Sequence, residues 1–208
     1  MKIMVLSNGS LKSLLLVALA CRETPDVFLC HITKNQPTLI QERKANAAIA
    51  EYYKIPWNII EPRLNMLPVE FVPFAFTTCL WHALVIAYQE KFDYLYYGAS
   101  KDSPKEDTSL AHLAALQLLV EAIQPKYSDF GLMLPTVSVE GPLLRLRLAQ
   151  VLYLGNGLQL PWELAWNCER TESLHCGQCE RCKQRQRAFA RVAFVDKSQY
   201  KHPLAEVR

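Results

Sequence analysis

The stretch Lys2-Ile3-Met4-Val5-Leu6-Ser7-Asn8-Gly9-Ser10-Leu11-Lys12-Ser13-Leu14-Leu15-Leu16-Val17-Ala18-Leu19-Ala20-Cys21 contains a change of period. A short apolar run over residues 2–7 ends in a small polar turn, Asn8-Gly9-Ser10. The chain then enters an apolar segment of helical length, residues 11–21. A strand, a tight turn and a helix in that order form half of a βαβ unit. Such a turn is where open α/β proteins bind phosphates, because backbone N–H groups and the positive end of the helix both face the anion.

The same alternation continues outward. Residues 26–33 form a second strand, nearly continuous in apolar character, as expected when both faces are covered. Pro37 opens a helix through residue 53, since proline is tolerated in a first turn; Ile40 and Ala47, seven apart, share one of its faces. Residues 57–61 make a third strand, and the proline-bearing stretch 62–73 is expected as a loop covering the sheet edge. A helix over 76–91, a strand over 94–98, a polar loop over 101–107 and a helix over 109–123 follow. A fifth strand over 132–137 and a helix over 142–154, stopped by Gly155-Asn156-Gly157, complete the series. This repetition predicts the α/β class with a doubly wound, mostly parallel sheet over residues 1–157, followed by a small C-terminal region, 158–208.

The composition agrees. In 208 residues, half are apolar and 21% are charged, so a packed core is expected and wholesale disorder is excluded. A net charge of +3 supplies no global field for nucleic acid, which is not an expected partner. The longest apolar run, residues 14–21, falls far short of the roughly 20 residues of a membrane helix. The first residues lack the basic start, long apolar stretch and cleavage site of a secretory signal. A soluble, cytoplasmic protein without a membrane partner is expected.

The seven cysteines are unevenly spread. Cys21, Cys30 and Cys79 stand alone in apolar segments, whereas Cys168, Cys176, Cys179 and Cys182 are crowded into Cys-x7-Cys-Gly-x-Cys-x2-Cys. Four soft ligands at that spacing suit a structural zinc ion, held in a closed tetrahedron with no open coordination position. Gly177 sits where the chain must turn sharply between two ligands. The segment that follows Cys179 can form a helix whose first amides stabilise the thiolates. Two disulfides, or a redox dithiol, are the competing readings. His175, beside Cys176, is read as a surface residue and not as a fifth ligand.

Other residues divide between chemistry and ordinary packing. Ser7, Asn8, Gly9, Ser10 and Ser13 are the candidate nucleotide-binding residues, and Lys12 adds a positive charge; a polar turn with no ligand is the alternative. The turn does not match G-x-x-x-x-G-K-[ST]. Asp102, Glu106 and Asp107 follow the fourth strand, at the carboxyl edge where active sites of open sheets collect, and could hold magnesium or a substrate amino group; a solvated loop is the alternative. His82 and His112 read as core or interface histidines. Phe71, Phe74, Phe76 and Trp81 form an aromatic patch suited to core packing or a dimer interface. The basic residues from Arg181 onward read as the solvated face of a terminal helix.

Taken together, the two ends of the chain resemble the QueC-type 7-cyano-7-deazaguanine synthases, PP-loop ATP pyrophosphatases with a C-terminal zinc knuckle. The cysteine spacing, followed by Arg185, Arg187, Ala188 and Phe189, looks like that family's ending. Phe71-Val72-Pro73 resembles its F-V-P-x-R-N segment, Gly98 ends a strand ahead of an acidic loop, and Met133-Leu134-Pro135-Thr136 resembles its T-P-L region. The departures fall at the chemistry. Against the family's S-G-G-x-D-S, Asn8 replaces a glycine, and Leu11 or Lys12 stands where aspartate is expected. Ala75 and Phe76 replace the R-N pair.

The resemblance implies ATP and magnesium as cofactors of an ATP-dependent ligase. In that reaction the carboxylate of 7-carboxy-7-deazaguanine is adenylated and ammonia displaces AMP; a second adenylation lets the amide dehydrate to the nitrile. Lys12 and Asp107 are the candidate catalytic residues. The second reading is a catalytically degenerate paralogue that keeps the fold and the knuckle. It would bind a nucleotide or a deazapurine-like small molecule, or serve in a homodimer or with a partner protein.

Overall fold

The computed structural model describes residues 1–34, 36–62, 75–103, 109–128 and 136–202. Its elements are β1 (Ile3–Leu6), α1 (Leu11–Glu23), β2 (Val27–Ile32), α2 (Leu39–Tyr53), β3 (Trp57–Ile60), α3 (Ala75–Gln89), β4 (Tyr94–Tyr97), α4 (Leu110–Ser128), β5 (Ser138–Glu140), α5 (Leu148–Gly157) and α6 (Glu180–Arg191). The strands form one sheet in the order β3-β2-β1-β4-β5, and every neighbouring pair is parallel. The chain therefore winds outward from β1 in one direction and, after a crossover, from β4 in the other. The switch between the two directions lies at the carboxyl ends of β1 and β4, where open α/β sheets bind ligands. Leu6 is in register with Tyr97, so Ser7 and Gly98 leave the sheet side by side.

The continuous apolar runs are explained by two cores, one on each face. Ile3, Val5, Val27, Leu29 and Tyr96 pack with α1 and α5, whereas Met4, Leu6, Cys30, Ile32, Leu95 and Tyr97 pack with α3 and α4. Alternate residues of one strand enter opposite cores. Cys30 and Cys79 serve here as small apolar fillers, and burial pushes the Cys30 thiol up to about 12, with Cys79 adding to the shift. Leu160, Trp162, Ala165, Ala188 and Phe189 join the same core as α1. Among the described residues no helix is long and apolar enough to cross a membrane.

Two expected elements differ. The fifth strand is Ser138–Glu140 instead of 132–137; residues 132–135 lie outside the described residues, and Thr136 and Val137 precede the strand. Pairing begins where the Ser138 N–H donates to the Asp93 carbonyl at 2.9 Å, and Val139 supplies the strand's one fully buried side chain. A strand with a single buried residue carries almost no apolar signature. The last sheet-covering helix starts at Leu148, six residues later than expected. Pro142 begins a turn closed by Leu144 N–H to the Gly141 carbonyl, 3.0 Å, and by Leu146 N–H to the Leu143 carbonyl, 2.9 Å. The helix then runs through Gly155-Asn156-Gly157 instead of stopping there.

Gly155 is in the helix for a packing reason. A Cβ at this position would lie 2.2 Å from Trp162 Cζ2, and the Trp162 ring is itself fixed edge-on against Phe189. Gly155→Ala is expected to lower stability by about 1–3 kcal/mol through overpacking, outweighing the helical preference for alanine. Urea unfolding followed by circular dichroism measures the effect; an unchanged or higher midpoint contradicts this packing.

Candidate active cleft and metal centre

A cleft of about 660 Å³ opens at the switch point. Its floor is the turn after β1, one side is the segment after β4, and the other is the cysteine-rich segment with the start of α6. Ser7, Asn8, Ser10, Lys12 and Ser13 all line it, together with Gly98, Ser100, Asp102, Asn167 and Arg181. Residues far apart in the chain thus converge on one concavity.

The turn is held by its own polar groups. The Ser7 hydroxyl donates to Asn46 Oδ1 and accepts the Gly9 N–H at 3.0 Å. Ser13 Oγ accepts the Asn8 N–H at 3.3 Å and donates to Asn8 Oδ1 at 3.1 Å. Gly9 adopts φ +70°, and an added Cβ would fall 2.7 Å from Ala45 Cβ, so both conformation and contact demand glycine. Among the described non-glycine residues with positive φ, Asn8 is absent, so replacing the family's first glycine costs this turn no strain. His31, which sequence reasoning did not single out, sits beneath it: its Nδ1 is 2.7 Å from the Ser7 carbonyl and its Nε2 is 3.6 Å from Glu42.

Lys12 crosses the cleft. Its Nζ donates to Ser103 Oγ at 3.0 Å, and the same oxygen accepts the Ser100 N–H at 2.9 Å. Burial first, and then the Arg181 charge, lower the Lys12 ammonium to about 8 against the opposing pull of Asp102. Asp102 is engaged in the scaffold, because its Oδ2 accepts the Leu148 N–H at 2.7 Å and so caps α5. Glu42 accepts from Gln36 and Thr38, Glu169 pairs with Arg181, and Glu180 with Arg187. Each carboxylate lining the cleft among the described residues has a protein partner, the Glu169 and Glu180 pairs being solvent-exposed and weak.

Asp107 and Glu106 lie outside the described residues, as do Phe71 and Phe74. Phe76 packs on Tyr97 at 5.3 Å. His82 bonds the Thr78 carbonyl one turn back in α3 at 2.8 Å, whereas His112 of α4 meets Thr77 Oγ1 of α3 at 3.2 Å, a part-buried contact between two helices.

Cys168, Cys176, Cys179 and Cys182 bring their sulfurs within 4.8 Å of one another. The Cys168–Cys179 and Cys176–Cys182 separations are each 3.9 Å. A tetrahedron with bonds of about 2.3 Å has edges of about 3.8 Å, so this cluster could hold a metal ion with little movement. Amides support the sulfurs: Arg170 and Cys176 donate to Cys168, Gln178 and Cys179 to Cys176, and Cys182 to Cys179. Burial opposes ionisation of Cys176, but the amides of Cys179 and Gln178 bring its thiol down to about 7. Burial drives Cys168 and Cys182 upward. Gly177 is at φ +75°, and a Cβ there would strike the His202 carbonyl oxygen at 1.6 Å.

His175 is not on the surface. It is 4% exposed, stacked between Trp166 at 4.4 Å and Tyr200 at 5.3 Å. Its Nε2 accepts the Asn167 N–H at 3.3 Å, and burial lowers the ring to about 4. Arg185 belongs to the interior too, on the helix read as a solvated basic face. It is fully buried, forks onto Asp196 at 2.7 and 2.9 Å, and donates to the carbonyls of Ala165 and Trp162. Burial favours the neutral acid at Asp196, but Arg185 and Tyr200 hold its carboxyl below the usual range.

The sequence model of the family described as "Queuosine biosynthesis protein QueC" matches residues 61–193. A "7-cyano-7-deazaguanine synthase" from a Nitratiruptor species is 26% identical over 97% of this chain and 99% of its own length. One of the same description from Koribacter versatilis is 28% identical over 98% and 95%. Among solved structures, NMN synthetase from Francisella tularensis overlaps 94% of this chain and 78% of its own at 13% identity, with a TM-score of 0.49.

An anion bound beside Lys12 would sense its lowered ammonium. The charge is present below about 8 and lost above it, and a bound anion moves the proton's release upward. Pyrophosphate affinity is therefore expected to fall as pH rises through and beyond that value. In Lys12→Met this step should vanish, with binding near neutrality weaker by about tenfold. Calorimetric titrations from about pH 6.5 to 9.5 measure it; a step that survives in Lys12→Met assigns the titration elsewhere.

Proposed function

The chain belongs to the QueC family, and from that premise we propose that its cleft activates a carboxylate with ATP as that family does, on a deazapurine acid of the 7-carboxy-7-deazaguanine type. The observation that carries this reading is the convergence of the β1–α1 turn, Lys12 and the cysteine-rich wall on one cleft at the sheet's switch point.

In the proposed reaction a carboxylate oxygen attacks the α-phosphorus of ATP, and pyrophosphate leaves. Ammonia then attacks the acyl carbon, and AMP departs to leave an amide. A second adenylation, at the amide oxygen, is followed by loss of AMP and a proton to give the nitrile. The turn residues Ser7, Asn8, Gly9, Ser10 and Ser13, at the N-terminus of α1, orient the phosphates. Lys12 offsets charge gathering on the α-phosphoryl group in the transition state, a role well served by a preorganised cation in a partly dehydrated cleft.

We assign zinc to the four thiolates: a closed tetrahedral site cross-links the tail and leaves no coordination position for chemistry.

A second reading has an observation of its own. The amides of Asn8, Gly9 and Leu11 are already taken by Ser13, Ser7 and Asn167, and the turn holds no carboxylate. These features favour a module that binds a nucleotide or base without turning it over.

Incubation with ATP, magnesium, ammonium and 7-carboxy-7-deazaguanine distinguishes them. The first reading predicts AMP, pyrophosphate and nitrile, with Lys12→Ala reducing AMP release about a hundredfold. Release that is indifferent to Lys12→Ala removes the lysine from the chemistry, and nucleotide binding without product supports the second reading. Metal removal tests the knuckle separately. Cys176→Ser, or chelation of the reduced protein, is expected to lower the thermal midpoint by several degrees, as loss of about 2–4 kcal/mol does in a chain of this size. An unshifted midpoint contradicts the assignment.

A further inference from the structure

Helix α1 begins at Leu11, and Ser10, its N-cap residue, makes no capping bond with its side chain. The partner for the first helical amide comes from 156 residues away: Asn167 Oδ1 accepts the Leu11 N–H at 3.2 Å. The adjacent residue adds a second tie, since the Trp166 N–H donates to the Gly9 carbonyl at 2.8 Å. Both residues immediately precede the first cysteine ligand, Cys168. Asn167 is itself fixed from two directions, by Arg185 Nη1 at 3.4 Å on its side-chain oxygen and by His175 Nε2 at 3.3 Å on its N–H. His175 in turn precedes Cys176, and Arg185 lies one turn beyond Cys182 on α6.

We propose that Asn167 is a positioning residue that makes the phosphate turn depend on the metal knuckle. An N-terminal helix amide is an orphan donor that must find an oxygen, and here that oxygen is carried by the metal-tied segment. With the four sulfurs gathered, residues 166 and 167 are held against the turn and set the direction in which the start of α1 faces the cleft. With the sulfurs released, the strap loosens, the Leu11 amide loses its partner and the anion site relaxes, while the sheet beneath keeps its two cores. The inference rests on reading the cleft as an anion site, and one arm of its test is independent of any ligand.

That arm is amide hydrogen exchange, resolved by residue, on the wild-type full-length protein, metal-loaded and chelated under reducing conditions. The proposal expects Leu11 exchange to quicken at least about tenfold on chelation while the β1 amides hold their rates, a local opening distinct from global unfolding. Equal acceleration of β1 and Leu11, or a Leu11 rate indifferent to metal, overturns it. The second arm is pyrophosphate affinity by calorimetry. Asn167→Ala in the metal-loaded protein is expected to weaken binding about three- to tenfold, the size of a lost helix cap. Chelation of wild type should do the same, and chelation of Asn167→Ala should add little, because both remove one coupling. Losses that simply add overturn the proposal. Asn167→Asp keeps an acceptor oxygen and should preserve slow Leu11 exchange; fast exchange in that variant also counts against it. If wild type binds no pyrophosphate, the nucleotide reading fails, and the exchange arm still decides the strap.

Discussion

Four sulfurs within 4.8 Å of one another, three of them buried, cannot all carry charge unless a cation lies among them. That constraint organises the tail of this chain. The amides aimed at Cys168, Cys176 and Cys179 are those expected of a cluster of thiolates, and the left-handed Gly177 lets two ligands follow each other through a turn with no room for a side chain. Cys182, the last cysteine of the cluster, sits in the first turn of α6. Three residues on, Arg185 plugs that helix into Asp196 and into the carbonyls that follow α5. Burying such a charge is tolerable only because its donors are so fully used; removing Asp196 alone would leave it stranded, at a cost of about 3–5 kcal/mol.

The sheet supplies the other half of the site. Its order reverses at β1 and β4, so the space above Ser7 and Gly98 is not filled by a crossover helix. The cysteine-rich segment closes one side of that space and touches the turn through backbone and side chain. A parallel sheet alone would provide an open crevice; the cysteine-rich segment makes it a cleft with a second wall, along which Lys12 and Arg181 lie, Arg181 paired with Glu169.

Much of this was legible in sequence, for identifiable reasons. Period and apolar continuity located β1, β2 and β4, because buried parallel strands are apolar on both faces, and the edge strand β3 from its apolar run, although its residues are only half-buried or exposed. Cysteine spacing located the cluster that could hold a metal, because four cysteines in fifteen residues constrain the backbone strongly. The fifth strand was hidden by brevity, with only Val139 to mark it. The course of α5 was misread because Gly155 suggests a terminator, whereas it makes room for Trp162. Asp102 reads as a candidate for magnesium or a substrate amino group until its bond to the Leu148 amide is seen, and Arg185 reads as one surface cation among several. Asn167, His175 and Arg185 act through partners between 8 and 156 residues distant, and no local pattern encodes such pairings.

The proposed strap requires a cation among the four sulfurs, which could hold one. X-ray absorption at the metal edge of freshly isolated, reduced protein, with elemental stoichiometry on the same sample, addresses it most directly. One zinc per chain surrounded by four sulfur scatterers at about 2.3 Å is the predicted result. A metal-free protein, a shell of nitrogen and oxygen, or an iron–sulfur signature would contradict it.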